Sequence, residues 1–310
     1  MPRLPDAGGM GRLETQGGAS GHWRPGPGFL NLLLRGKGRF MNSKRITVLG
    51  IIIAGLGATA ALAPARADEL QDIKSKDVLV VGVKADYPPF GYLSPTGENI
   101  GLETDLARDV AQRLGVKVQF VPVVAANRVQ FLQQGKIDLL IATMNDTPER
   151  AKVVDIIQPD YYASGYNLMV PNTVKITAWN QLSGVPVCAI QGAFYNKEVA
   201  EKYGASTVAF TGVAEALTAL QQGRCNAFLY DDTAIEGKLQ DPAWKNYDMP
   251  LKSQDAQPWG LAVKQGEPAF ADFMSKTIID WDKTGFILSL ESKYNLKHSD
   301  FALQMHDKYK

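Results

Sequence analysis

The sequence predicts a two-lobed α/β protein in which each lobe is built on a doubly wound, mainly parallel sheet. One five-residue pattern occurs twice, as Leu-Gln-Gln-Gly-Lys at residues 132–136 and as Leu-Gln-Gln-Gly-Arg at residues 220–224. Each copy is the end of a helix with an apolar face, then a glycine suited to a left-handed cap, then an apolar run typical of a buried strand. Strands and helices alternate around both copies, which favours parallel sheets. The chain therefore contains two similar units.

The helices and strands of the first unit are predicted from the spacing of apolar residues and from residues that typically begin or end helices. The β-branched run 78–83 indicates a strand buried on both faces. Apolar residues at helical spacing precede Gly115, which ends a helix. Thr147 is a predicted N-cap, with Pro148 in the first helical position. The predicted elements are strand 78–83, helix 103–114, strand 116–124, helix 127–134 and strand 137–144.

The second unit repeats the alternation, and the chain then returns to the first. Its predicted elements are strand 185–190, helix 196–203, strand 207–210, helix 213–222 and strand 225–230. The last helices, 269–283 and 286–294, are predicted to pack on the first lobe. The sequence thus predicts lobe 1 from residues 68–165 plus 264–310, lobe 2 from 171–257, and hinge strands at 166–170 and 258–263.

The N-terminal residues differ in composition from the rest of the chain. Residues 1–40 are rich in Gly, Pro and Arg, and we expect a disordered extension that is not native, with Met41 as the true start. Residues 41–67 have a basic start, an apolar stretch and an Ala-Arg-Ala end, typical of a signal peptide cleaved near Ala67. An uncleaved membrane anchor is the alternative. The prediction is export to the periplasm.

Charge and cysteine content narrow the function classes. Residues 68–310 carry 24 Lys and Arg against 30 Asp and Glu, and this acidic balance argues against a nucleic-acid partner. The two cysteines, Cys188 and Cys225, lie in apolar strand-like runs, and an even pair in an exported protein suggests a disulfide. Two buried free thiols are the alternative. The three histidines have no spacing typical of a metal site, so we expect no metal and no cofactor.

Two loops that follow predicted strands carry concentrated charge. Residues 145–150 end in Arg150, and residues 231–233 begin with Asp231 and Asp232. In α/β sheets, ligands bind at loops that leave the carboxyl ends of strands. One unit supplies an arginine and the other supplies carboxylates, which suits two lobes that close on a zwitterion.

Six motifs in order resemble one family, the periplasmic solute-binding proteins (family 3) of polar amino acid ABC transporters. The motifs are residues 80–90 (VVGVKADYPPF), 101–107 (GLETDLA), 147–152 (TPERAK), 160–162 (DYY), 184–187 (GVPV) and 231–232 (DD). The resemblance spans most of residues 68–310. It implies a type II periplasmic-binding-protein fold, with two lobes that close over one free amino acid for delivery to an inner-membrane permease.

The resemblance also implies roles for single residues. Arg150 matches the arginine that binds the ligand carboxylate, a role that suits its planar fork of donors. Asp231 matches the acid that binds the ligand ammonium, and Tyr87 matches an aromatic lid. The alternatives are a surface charge for Arg150, a strand-end cap or hinge-side ion pair for Asp231, and an ordinary half-buried tyrosine.

Ligand specificity is predicted from Lys84 and Arg128. Basic residues at these places resemble the glutamate and aspartate binders of the family, so we expect an acidic amino acid. The alternative is that Lys84 points to solvent and Arg128 caps a strand. The chain departs from the family at Ala193 and Phe194, where many members have hydroxyl residues. The predicted ligand-binding residues are Lys84, Tyr87, Arg128, Thr143, Asn145, Arg150, Gln191, Gly192, Ala193, Phe194 and Asp231.

Two other functions stay open at this point. A dehydratase-type enzyme on this fold needs a poised acid or base, but no His or Cys lies in the candidate loops. A sensor ectodomain needs an uncleaved N-terminal segment. We expect a monomeric binding protein rather than an enzyme.

Overall fold

The structure is a computed structural model that describes residues 68–254 and 256–310. The predicted extension 1–40 and signal peptide 41–67 lie outside the described residues, so both stay predictions. Within the described ranges, no helix is long and apolar enough to cross a membrane.

The helices and strands follow the chain through one sheet, then a second, and back to the first. The first passage holds α1 (Glu69–Lys76), β1 (Val78–Val83), β2 (Asp86–Tyr87), β3 (Gly91–Leu93), β4 (Asn99–Ile100), α2 (Leu102–Leu114), β5 (Lys117–Pro122), α3 (Arg128–Gln133), β6 (Leu139–Leu140), α4 (Pro148–Ala151) and β7 (Asp155–Ser164). The second holds β8 (Tyr166–Pro171), β9 (Pro186–Ile190), α5 (Tyr195–Tyr203), β10 (Ser206–Phe210), α6 (Val213–Gln221), β11 (Ala227–Asp231), α7 (Asp232–Leu239) and β12 (Tyr247–Asp248). The return holds β13 (Gln257–Val263), α8 (Pro268–Thr284), α9 (Phe286–Lys293) and α10 (Asp300–Tyr309).

The two large sheets have the same arrangement, which confirms the two-unit α/β fold. Their strand orders are β5-β1-β6-β13-β7 and β10-β9-β11-β8-β12. The repeated pattern occupies the same place in each, with Gly135 and Gly223 at φ 65° and 71° between a helix and the third strand of its unit. These positive φ values are the left-handed caps that the sequence predicts.

Each sheet is mixed rather than mainly parallel. The first two strand pairs of each sheet are parallel, and the remaining pairs are antiparallel. The antiparallel strands β7, β8 and β13 flank the points where the chain passes between sheets. A strand that arrives directly from the other sheet has no crossover helix to reverse it, so it pairs antiparallel.

The predicted hinge segments lie within sheet strands next to the passages between the sheets, and their hinge role stays a prediction. Residues 166–170 belong to β8 in the second sheet, and residues 258–263 belong to β13 in the first. The chain crosses at Gly165, between β7 and β8, and again between β12 and β13. Both predicted hinge segments are apolar because they are buried strands, and this pattern does not distinguish a sheet strand from a hinge strand.

An aromatic cluster lies behind the meeting point of the two sheets. Trp259 of β13 is fully buried, and its ring centroid lies 5.1 Å from that of Phe90 and 5.3 Å from that of Tyr162. Tyr87 packs edge-on against both Phe90 and Trp259. This packing fixes the segment that follows β1, from which two predicted site residues project.

The predicted disulfide between Cys188 and Cys225 is present. Cys188 lies in β9, and Cys225 lies just before the neighbouring strand β11. The bond therefore joins the starts of the two strands whose opposite ends reach the candidate site.

Replacing both cysteines (Cys188→Ala with Cys225→Ala) is expected to lower the free energy of unfolding by about 3–4 kcal/mol, because the bond closes a loop of 37 residues in the unfolded chain. Urea unfolding followed by tryptophan fluorescence measures the loss. Dithiothreitol should destabilise the unmodified protein by a similar amount and leave the double variant unchanged. Equal stability of the two proteins would contradict the expectation.

Candidate functional site

A cavity lies between the carboxyl ends of strands from both sheets. Its volume is about 20 Å³, far below the roughly 300–1,000 Å³ of typical small-molecule sites. The first lobe lines it with Lys84, Ala125, Arg128, Thr143 and Asn145, and the second with Ile190, Ala193, Tyr195, Tyr230 and Asp231.

Six of the predicted site residues line this cavity, and three others contact its walls. The six are Lys84, Arg128, Thr143, Asn145, Ala193 and Asp231. Tyr87 and Arg150 hydrogen-bond wall residues, and Gly192 accepts from Arg150. Gln191 is exposed. The Phe194 ring packs against those of Tyr166 and Tyr195.

Hydrogen bonds that span the two lobes hold them together around the cavity. The Tyr87 hydroxyl donates to Asp231 Oδ2 at 2.9 Å, and the Val213 amide donates to Asp86 Oδ2 at 3.1 Å. Gly192 has φ 85°, and a Cβ there would lie 2.9 Å from the backbone of Ala126. The lobes are therefore in close contact, and only a glycine fits at that point.

Arg150 is placed by a short helix that the sequence predicts correctly. Thr147 caps α4, since its Oγ1 accepts from the Arg150 amide at 3.3 Å, and Pro148 occupies the first turn. The guanidinium donates to Asn145 O at 2.7 Å and to Gly192 O at 3.3 Å across the lobes. Burial, and then the nearby Arg128 charge, lower the Arg150 pKa to about 10. The side chain stays a cation at neutral pH.

Asp231 ends β11 and is buried at the wall of the cavity, with 6% exposure. Burial raises the pKa of its carboxyl to about 6, while hydrogen bonds from Tyr87 and Tyr195 act in the opposite direction. At neutral pH the Asp231 carboxylate is ionised, although its burial makes the ionised form unfavourable. Such a carboxylate is suited to a cationic ligand group.

The two residues predicted to set specificity are both buried. Lys84 Nζ lies 2.8 Å from Asp86 Oδ1, and the Lys84 side chain is 2% exposed, so it does not point to solvent. Arg128 donates to the carbonyls of Ala142 and Thr143, with 3.1 Å to the latter. Arg128 thus donates hydrogen bonds to carbonyls after β6, which agrees with the alternative that it caps a strand. It also lines the cavity.

The sequence reasoning missed four cavity-lining residues and one supporting carboxylate. The four are Ala125, Ile190, Tyr195 and Tyr230. Ile190 and Tyr230 lie at strand ends, where a strand-end rule applied to every strand would find them, whereas Ala125 lies in a loop and Tyr195 begins α5. Glu103 is buried behind Thr143 and accepts from its amide at 2.6 Å. Its position in an amphipathic helix gave no sign of this contact.

A metal site has no support in the part of the chain that the structure describes. Among those residues, no group of three or more His, Cys, Asp or Glu side chains is arranged to hold an ion. The polar groups of the cavity are instead those that bind charged organic groups.

Comparison with known proteins identifies the family. The family of bacterial extracellular solute-binding proteins, family 3, matches residues 79–297. The chain belongs to this family. It is 35% identical over 231 residues to the ABC transporter glutamine-binding protein GlnH of Bacillus subtilis, covering 71% of this chain and 84% of that protein. It is 31% identical over 228 residues to the glutamine-binding protein of Geobacillus stearothermophilus, covering 71% and 86%.

A solved structure supports the same fold. A mutant of ArgBP from T. maritima matches with a TM-score of 0.69 at 26% identity, covering 73% of this chain and 98% of that chain. The two-lobed type II fold that the sequence predicts is therefore confirmed. Its relatives in this family are binding proteins of amino acid ABC transporters.

The Asp231 carboxylate is expected to destabilise the ligand-free protein at neutral pH. Its pKa of about 6 exceeds the ordinary value of 3.8, so the fold prefers the neutral acid, and stability is lost as pH rises from about 4 through 6. Asp231→Asn should therefore raise the free energy of unfolding at pH 8 by up to about 3 kcal/mol.

Urea unfolding at pH 4 and pH 8 measures this gain, which should nearly vanish at pH 4. Asp272→Asn, at a carboxylate whose side chain is 62% exposed, is the control and should change little at either pH. A loss of stability in Asp231→Asn at pH 8 would contradict the expectation.

Proposed function

We propose that this protein binds one free polar amino acid between its lobes and delivers it to an ABC transporter permease. The observation that carries the proposal is the placement of Arg150 and Asp231 in different lobes at one cavity. Asp231 lines the cavity, and Arg150 donates to the carbonyl of Asn145 in its wall. A guanidinium fork binds a carboxylate through two hydrogen bonds, and a buried carboxylate stabilises an ammonium. A zwitterion contacts both lobes only when they are closed, so it favours closure.

The Lys84–Asp86 pair supports L-glutamine as the ligand. Lys84 lines the cavity, and its ammonium, a donor, lies 2.8 Å from the Asp86 carboxylate, an acceptor that is not itself part of the cavity wall. A side-chain amide needs this combination, because it has one carbonyl oxygen and two N–H groups. The adjacent Asp86 charge also offsets the attraction of Lys84 for an anion. The relatives in Bacillus subtilis and Geobacillus stearothermophilus are both named as glutamine-binding proteins.

An acidic amino acid is the second candidate, as the sequence predicts. Lys84, Arg128 and Arg150 are three buried or half-buried cations at or beside the cavity. Asp86 already accepts the Val213 amide of the second lobe, which reduces its capacity to accept from a ligand. Glutamate or aspartate would place its side-chain carboxylate on Lys84 in this arrangement.

The departures at residues 193 and 194 fit a neutral ligand as well as an acidic one. Ala193 lines the cavity with a methyl group, and its amide donates to Ile190 O at 3.1 Å. The ligand carboxylate therefore relies on Arg150 more than in members with hydroxyl residues at these places. We further propose cleavage near Ala67 and a periplasmic location, which N-terminal sequencing of the exported protein tests.

The first test is calorimetric titration of residues 68–310, unfolded and refolded to remove bound ligand, with each of the twenty amino acids. We expect tight binding of L-glutamine and at least 100-fold weaker binding by Arg150→Gln, because the ligand carboxylate then loses its cation. Lys152→Gln, two residues away and exposed, is the matched control and should bind normally. Failure of every amino acid to bind would overturn the proposal.

The second test separates the amide from the acid. Asp86→Asn removes the acceptor charge, so it should weaken L-glutamine binding and strengthen L-glutamate binding, each by about tenfold, through the unmasked Lys84 charge. Lys84→Gln should weaken both. If the unmodified protein prefers L-glutamate and Asp86→Asn leaves that preference unchanged, the proposal of glutamine as the ligand is wrong and an acidic amino acid is the ligand instead.

A further inference from the structure

Thr143 has an unusual backbone conformation at the wall of the cavity. Its φ is 47°, in the left-handed region, although its side chain is β-branched. This region is costly for such residues, and they adopt it when the surroundings hold them there. Thr143 is 5% exposed and lines the cavity directly after β6.

Two buried charged side chains form hydrogen bonds with the backbone of Thr143, one with its amide and the other with its carbonyl. Its amide donates to Glu103 Oε1 at 2.6 Å, and its carbonyl accepts from Arg128 Nη1 at 3.1 Å. The Tyr161 hydroxyl also donates to Glu103 Oε1. Among the described residues, Glu103 Oε2 is buried without a hydrogen-bond partner. One carboxylate oxygen therefore carries both contacts.

Glu103 is fixed in the first turn of α2 by backbone contacts. Its amide donates to Phe90 O at 2.8 Å. Gly101, the N-cap, has φ 129°, and a Cβ there would lie 2.3 Å from Phe90 O. The carboxylate thus has little freedom to move away from Thr143. Its place near the helix N-terminus also favours negative charge.

We propose that Glu103 is a positioning residue: its ionised carboxylate holds Thr143 in the left-handed conformation that the ligand requires, so that loss of the Glu103 charge weakens ligand binding. This inference rests on the proposed binding function. It concerns a side chain behind the cavity wall that does not line the cavity itself.

The charge of Glu103 explains why its protonation should weaken ligand binding rather than strengthen it. The groups that interact with Glu103 include Tyr161 of β7, Thr143 after β6, Lys84 after β1, Arg128 of α3 and, from the second lobe, Tyr230 of β11. Burial raises the Glu103 pKa to about 7, although the two hydrogen bonds and both cations act to lower it. The ionised form accepts the two hydrogen bonds more strongly than the neutral acid. The binding-competent fraction therefore rises as pH increases through 7.

The test compares Glu103→Gln with the unmodified protein by calorimetric titration of L-glutamine and L-glutamate between pH 6 and 8.5. The contribution of Glu103 in the unmodified protein should increase affinity about two- to fivefold from pH 6 to 8, the factor expected if the protonated form binds about 3–10-fold more weakly. Glu103→Gln should lack this contribution and bind about 3–10-fold more weakly at pH 8. Titration of Asp231 affects both proteins alike, so their difference isolates Glu103.

Glu291 provides a matched control. It is also fully buried in lobe 1 and also accepts from a tyrosine hydroxyl, Tyr162 at 2.9 Å, and from a backbone amide, Ser299 at 3.1 Å. Glu291→Gln removes a similar charge away from the cavity, so it should keep the normal pH profile. If it changed the profile as much as Glu103→Gln, the effect would be one of general stability and the proposal would fail.

A measurement without ligand separates this inference from the proposed function. In the free protein, the amide ¹H–¹⁵N resonance of Thr143 should titrate with a midpoint near pH 7, and this titration should be absent in Glu103→Gln. If no amino acid binds but the resonance titrates, the binding function fails and the Glu103–Thr143 coupling stands. If ligand binds but Glu103→Gln has the normal affinity and pH profile, only the positioning role is overturned.

Discussion

The proposed function depends on a carboxylate that the fold buries, with tyrosine hydroxyls as its hydrogen-bond donors. Asp231 ends a strand of the second lobe, and Tyr87 of the first lobe donates to it at 2.9 Å. Burial raises its pKa, so the anion carries an electrostatic cost at neutral pH. An ammonium group removes that cost only when the lobes are closed. Under the proposed function, ligand binding and lobe closure are therefore coupled by one interaction, and residues that keep Asp231 buried also keep the coupling.

The paths of the chain between lobes limit how the lobes move. Gly165 alone separates β7 from β8, and a Cβ there would lie 2.5 Å from Gln254 O in the second crossing. The Gln254 amide donates to Tyr166 O at 3.0 Å, so the two crossings are held side by side. Under the proposed function, the lobes open by a rotation about these two neighbouring crossings. Such a rotation separates Arg150 from Gly192 while leaving each sheet intact.

Much of the fold was predictable, because it follows from local patterns. The repeated helix–glycine–strand pattern, the Thr147 cap and the disulfide all rest on residue types with one strong local preference. The mixed sheets were not predictable, because an apolar run such as residues 258–263 is consistent with either strand direction and with a hinge. At the site, strand-end positions identified Asp231 and Asn145. The Lys84–Asp86 pair and the Glu103–Thr143 contact depend on side-chain directions that spacing does not encode.

The charges around the cavity link ligand choice to the supporting carboxylate. Lys84, Arg128 and Arg150 are the cations, and Asp86, Asp231 and ionised Glu103 are the anions, so the two sets balance. A balanced site suits a ligand of zero net charge, such as glutamine, because closure then leaves no uncompensated buried charge. Protonation of Glu103 leaves one excess positive charge, so it should weaken the binding of glutamine more than that of glutamate. Because burial raises the pKa of Glu103 to about 7, its protonation state changes within the range in which exported proteins work. Under the proposed function, the preference between amide and acid depends on the whole buried charge set rather than on Lys84 alone.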